Sequence, residues 1–257
     1  LSMRLYSDSS AKREHEPELL ETGRQLLRHV TFRRGDQEGD YRRAHVAQVC
    51  LTGPNANLIA AEVAVRLKQA VAAYETYSFH NDKLLRTLLE LQSVIVLDTL
   101  FLGNEDQQWV DFDMFSSLGD NDSNPADVIS CKNLIAWCEG DREQRYPLAA
   151  SIITFAHRLE ASGPRVWSEQ AKALLTYAPN VKTVLEVFIE RFRPISWSGS
   201  RASAIEANAQ LLNSLEANIL SGIAPFVVEA KAQLAREVVQ EREQETKNDR
   251  ARDERFE

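Results

Sequence analysis

The chain has 257 residues, 44% hydrophobic and 26% charged, with a net charge of −8. That is enough apolar material for a sizeable core, in one extended domain or two compact ones. The acidic balance argues against general attraction to nucleic acid or to an anionic membrane.

The chain opens Leu1-Ser2-Met3, which fits either added residues ahead of Met3 or a piece of a longer protein. The first thirty residues are charged and lack the apolar core of a signal peptide. Residues 1–15 are polar, mixed in charge and expected to fray. Glu16–His29 reads as a first helix, with Pro17 in the first turn, which tolerates it. A polar turn follows, and Asp40–Leu51 reads as a second helix capped by Asp40. Asn57–Tyr77 is long and rich in Ala and Val, so burial on more than one side is expected. Asn81–Gln92 and Ser93–Leu102 are two short helices or one bent one. The run Val94-Ile95-Val96-Leu97 is β-branched enough for a strand, but no partner strand is legible elsewhere, so helix is expected. Ser93–Leu102 is also the longest apolar run; it contains Asp98 and is far short of the roughly 20 residues that span a bilayer.

Gly103–Ala126 is an acidic break with a dense turn signal at Gly119–Pro125. Trp109, Phe112, Met114 and Phe115 make it an anchored connection between helical halves at 1–102 and 127–257. Further helices are expected at Ser130–Glu139, Gln144–Glu160, Ser168–Ala178, Asn180–Arg193 and Ser200–Glu216, with a last one from about Pro225. In Asn180–Arg193 the apolar residues Val181, Val184, Leu185, Phe188, Ile189 and Phe192 fall at i, i+3, i+4, i+7 spacing, one buried stripe. Pro194 ends it, and Ser198 or Ser200 can cap the next helix. The last helix loses its apolar face after Val238 and reads as a solvated, fraying end supported by Glu–Lys/Arg pairs. Trp109, Trp137, Trp167 and Trp197 recur at near-constant spacing, a sign of stacked repeats.

The chain has no nucleotide-binding glycine loop, no H-E-x-x-H, no C-x-x-C and no G-x-S-x-G. Cys50, Cys131 and Cys138 suit small buried side chains in a reducing cytoplasm better than a disulfide framework. Cys131 and Cys138 share one helix face as core residues or, alternatively, as a metal or redox pair. The five histidines are scattered, without a titratable partner at working spacing. Asp111, Asp113, Asp120 and Asp122 could gather a divalent cation through oxygen ligands, but a polar turn accounts for the same residues. No catalytic residue, cofactor or metal is assigned. Arg24, Arg28, Arg33, Arg34, Arg42 and Arg43 would share a face if the first two helices pack antiparallel. Such a stripe binds duplex through salt-dependent phosphate contacts, yet acidic residues from Glu14 to Asp40 are interleaved, as on a solvated face.

The patches Leu134-Ile135-Ala136-Trp137-Cys138, Arg145-Tyr146-Pro147-Leu148-Ala149, Arg191-Phe192-Arg193-Pro194, Trp197-Ser198-Gly199-Ser200 and Arg250–Glu257 resemble the C-terminal region of large bacterial multidomain proteins. In those, a HEAT-like helical array follows an effector or NTPase module. The resemblance covers roughly residues 80–257 and implies a sensor or scaffold region, in the manner of STAND-type defence NTPases. It assigns no functional residue.

The expectation is therefore an all-α, HEAT-like α-solenoid, a right-handed array of antiparallel helix pairs each touching mainly its neighbours. Its expected role is a cytoplasmic, non-catalytic interaction module that binds a protein partner or holds an attached effector or NTPase domain. The alternative is nucleic-acid binding through the Arg24–Arg43 face.

Overall fold

The computed structural model describes residues 17–102, 113–115, 124–160, 163–195 and 197–253. Of these, 74% are helical, and the sheet among them has two strands. The fold is thus mostly helical, as expected. Residues 1–15, Trp109, Asp111, Phe112, Asp120, Asp122 and the extreme C-terminus, on which several expectations fall, lie outside the described residues. None of the described helices is long and apolar enough to cross a membrane. The chain divides into two compact units, with residues up to 118 and 123–137 in the first and 119–122 and 138–257 in the second.

In the first unit, α1 (Pro17–Arg28), α2 (Gln37–Cys50), α3 (Ala56–Ala72) and α4 (Asp82–Phe101) form two successive hairpins. α1 packs on α2 and α3 packs on α4; in addition α1 packs on α3, and α2 on α4. First helices therefore meet first helices, and second helices meet second. α3 makes this possible, because Ala56, Ala60, Ala64 and Ala70 are buried beside Ile59, Val63 and Leu67 and allow close approach. α1 and α2 come together at Gly23, where a Cβ would stand 2.3 Å from Cys50 Sγ.

α2 begins earlier than the sequence suggested. Its cap is Asp36, whose Oδ1 accepts from Gly39 N at 2.9 Å. Asp40, 5% exposed, lies inside the helix instead and reaches across to α4. There both its oxygens accept backbone N–H groups, from Lys83 and Leu84, each at 3.0 Å. These are first-turn donors of α4 that have no partner within their own helix. α4 is one bent helix. Gln92 breaks it at φ −140°, ψ 41°, and Val94–Leu97 is helical as expected. Its second half carries Phe101, which packs on Phe115 and on Trp137 of α5 (Cys131–Cys138). Trp137 Nε1 donates to Asp98 Oδ1 at 2.8 Å. Met114 and Phe115 are buried in this unit, so those two anchors of the acidic connection act as expected.

The second unit holds α6 (Arg145–Ile152), β1 (Ala156–Arg158), β2 (Arg165–Trp167), α7 (Glu169–Tyr177), α8 (Val181–Arg191), α9 (Arg201–Ala209) and α10 (Ala217–Asp253). The helix expected over Gln144–Glu160 is half that long. After Ile153 the chain extends, and β1 pairs antiparallel with β2 in the register Ala156↔Trp167. The extended path brings Phe155 and Trp167 onto Phe188 and Phe192, a four-ring core with centroids 5.5 to 6.4 Å apart. Burying each ring contributes about 1.5–3 kcal/mol, more than the few residues of helix forgone. Among the described residues Trp137, Trp167 and Trp197 occupy a helix end, a strand and an exposed loop in turn, so these three do not hold equivalent positions.

The caps of α7, α8 and α9 are Ser168, Asn180 and Ser200, accepting from Ala171, Thr183 and Ser203. α10 starts eight residues before Pro225 and carries that proline inside it. Ser221, whose carbonyl loses its partner there, is exposed, so water can replace the missing donor. Val227, Ala230, Leu234 and Val238 are its buried face. From Glu237 onward carboxylates line this side of the helix. Glu237 takes a two-pronged bond from Arg193 (2.8 and 2.7 Å); Glu241 pairs with Arg201. Glu245 accepts from Ser200 Oγ and from Ala202 N, capping α9 from outside. The charged stretch up to Glu245 is therefore docked, not a solvated end.

Candidate interaction surface

In the first unit the two turns inside the hairpins, residues 29–36 and 73–81, lie against each other. Arg34 Nε donates to Tyr74 O at 2.7 Å, and Gly35 N donates to His80 Nδ1 at 3.4 Å. Tyr74 sits at φ +56°, a left-handed conformation at the end of α3 where glycine is the usual residue. A side chain there costs about 1 kcal/mol. The conformation lets Glu75 N close the helix on Ala70 O at 2.9 Å and turns the chain sharply.

The turn presents rings to solvent. Tyr74, Tyr77 and Phe79 are 58%, 41% and 51% exposed. Tyr77 and Phe79 stack at 5.4 Å with planes 9° apart, His80 stands edge-on to both, and the Arg34 guanidinium covers the Tyr77 ring at 5.1 Å. On α2, exposed Tyr41 carries Lys83 Nζ over its ring at 4.1 Å. Asp40, next to Tyr41, ties the two through Lys83 N. Beneath the rings the framework is fixed. Arg43 bonds Asp36 and Asn81 and lies over buried Phe32; Asn81 Nδ2 in turn donates to Thr76 Oγ1.

No family model, curated protein or solved structure matches the chain.

The six arginines named from sequence occupy different places. Arg24 bonds Cys50 O and Thr52 O at the end of α2. Arg28 pairs with Glu62 of α3 at 3.1 Å. Arg42 pairs with Glu38 one turn back, and Arg43 is tied down as above. Arg33 and Arg34 are exposed in the turn after α1, and Arg34 lies over the Tyr77 ring. The structure thus brings Arg34 to the aromatic edge, leaves Arg33 exposed beside it in the chain, and engages Arg24, Arg28, Arg34, Arg42 and Arg43 with groups of the chain itself.

Sequence reasoning passed over Tyr41, Tyr74, Tyr77, Phe79 and Lys83. A signal was present: three aromatic residues within six positions, in a stretch that ends a helix, where polar turn residues are the norm.

Other groups were candidates. Burial raises the Cys50 thiol to about 11 and the Cys138 thiol to about 12, so both are neutral at pH 7. Cys131 is only partly buried. Burial, together with a 2.7 Å bond to Glu139, likewise pushes the Tyr146 phenol upward. Among the described residues no group of three His, Cys, Asp or Glu could hold a metal ion; Asp113 is exposed. In the second unit the larger hollows are open and bordered by charged residues. One, about 450 Å³, lies beside Lys182, Glu186, Arg193 and Glu229. A smaller one of about 210 Å³ has an apolar floor of Trp167, Leu175, Leu215 and Ile219.

Proposed function

We propose that the chain is a helical-repeat interaction module of HEAT-like construction, and that the aromatic edge of its first unit docks a protein partner. The observation that carries this reading is the set of exposed, mutually stacked rings held on a rigid turn. Tyrosine and arginine dominate protein–protein hot spots because they give large contact area with few rotors to freeze. Here the rotors are already restrained by Arg34 and by ring stacking. A strained tyrosine where glycine would fit fold alone points the same way. The first-on-first, second-on-second helix pairing supports a repeat array, since stacked hairpins bury their faces in that order.

The partner is either a separate protein or an effector or NTPase domain attached to the chain, in a bacterial cytoplasmic setting. Nucleic-acid binding through the arginine face is the weaker reading, because Arg24, Arg28 and Arg43 are occupied by tertiary contacts. The test is photo-crosslinking in the native host from a reactive residue placed at Phe79, compared with one at exposed Val94. A single protein adduct formed from position 79, absent from position 94 and abolished by Tyr77→Ala, supports the reading. Equal adducts from both positions, or none from position 79, overturn it.

A further inference from the structure

We infer that the segment seated on this edge is a short acidic peptide with aromatic or proline side chains between its carboxylates. The inference rests on the interaction reading above and gives its partner a chemistry. Three exposed cations stand on or next to this edge: Arg34 over Tyr77, Lys83 over Tyr41 at the start of α4, and Arg33, the chain neighbour of Arg34 in the first turn. The first two charges thus each stand beside an exposed ring. A ligand that fills the site must offer flat or apolar groups to the rings and negative charge within reach of those cations. In a chain of net charge −8 this local excess stands out.

The size of the excess selects the ligand. Exposed Glu75 follows Tyr74 in the turn, and exposed Glu38, three residues before Tyr41 on α2, already neutralises Arg42. Two or three carboxylates match the available cations. A nucleic-acid strand, with a phosphate at every nucleotide, would run past them onto acidic surface and be repelled. Carboxylates also suit exposed Arg33, which can bind one in a two-pronged fashion, and Arg34, whose Nε is held by Tyr74 O while its two terminal nitrogens can still donate.

Fluorescence anisotropy on the whole chain tests this with three labelled probes. They are a short peptide alternating Asp or Glu with Trp or Pro, the same peptide with Lys in place of each acid, and an oligo-dT strand. The acidic peptide should bind, weaken as salt is raised through about 0.3 M, and lose at least about tenfold in affinity in Arg33→Glu/Lys83→Glu. Both side chains are exposed, so the variant should keep its helical circular dichroism and melting profile. Binding of the basic peptide or oligo-dT as tightly as the acidic one, or an acidic peptide indifferent to the double variant, overturns the inference. If the Phe79 adduct still depends on Tyr77 while the acidic probe fails, only the partner chemistry falls; if both fail, the interaction reading falls with it.

Discussion

Replacing Asp40 by Ala removes the acceptor of two first-turn donors of α4 without touching that helix. Loss of an ordinary N-cap costs about 0.5–2 kcal/mol, and a buried amide left without an acceptor costs about 1–3 kcal/mol. Against this, burial raises the Asp40 carboxyl above the usual carboxylate range; the bonds from Leu84 and Lys83 offset only part of that. Removing an unfavourably buried charge returns some energy, and a net loss of about 2 kcal/mol is expected at pH 7. The pH dependence has a definite sign. Because the folded pKa is raised, the unfolded chain ionises first as pH climbs past 3.8, and wild-type stability falls until the folded carboxyl ionises too. The deficit of Asp40→Ala is therefore largest at acid pH and smaller at neutral pH. With two units in one chain, a single melting midpoint mixes two transitions. Hydrogen exchange at the amides of Lys83 and Leu84 is the direct assay, and both should lose protection. If those amides keep their protection and the first transition does not move, the cross-helix cap contributes nothing and the reasoning fails.

Gly23→Ala should destabilise the first unit by about 1–3 kcal/mol, the usual cost of overpacking, since its Cβ would meet Cys50 Sγ at 2.3 Å. Adding Cys50→Ala should restore part of the loss in urea melts; no recovery would mean that the contact is not the cause. In the second unit, hydrogen bonds from Arg193 to Glu237, and from Ala202 N and Ser200 to Glu245, lower both carboxyl pKa values below the usual range. Their contribution is present at neutral pH and is lost as pH falls through the lowered folded values. The protection of the amides of residues 201–203, taken relative to the intrinsic exchange rate at each pH, should therefore fall as the pH drops through the lowered folded values, and Glu245→Gln should blunt that fall. An Arg193→Ala/Glu237→Ala double-mutant cycle should return a coupling of about 0.5–1 kcal/mol; a value near zero would make the pair incidental.

Much of the helix map was legible because its determinants are local. Ser168, Asn180 and Ser200 each stand three residues before the amide they cap, so the signal lies within one turn of sequence. The apolar stripe of α8 is equally local, and Val184, Leu185, Phe188 and Ile189 are buried as the spacing predicts. Asp40 was misread for the complementary reason. An acid near a helix start looks like that helix's cap, and nothing nearby shows that its partners are Lys83 and Leu84. The hairpin escaped notice because Ala156-His157-Arg158 has no strand pattern of its own; it extends only because Phe155 and Trp167 find Phe188 and Phe192. Glu237, Glu241 and Glu245 fall at the spacing of any solvated helix face, and only the position of Arg193, Ser200 and Arg201 makes them a docking strip.

The sequence by itself determined that this protein is mostly helical, where most helices start and stop, and which side chains are apolar enough to be buried, since these follow from interactions within a few residues. Tertiary structure decided which helices pair, where the acids of α2 and α10 find their donors, and that Arg34 meets Tyr74 and Tyr77 on one edge. Those contacts join residues some forty positions apart, and no periodicity within a single helix encodes them.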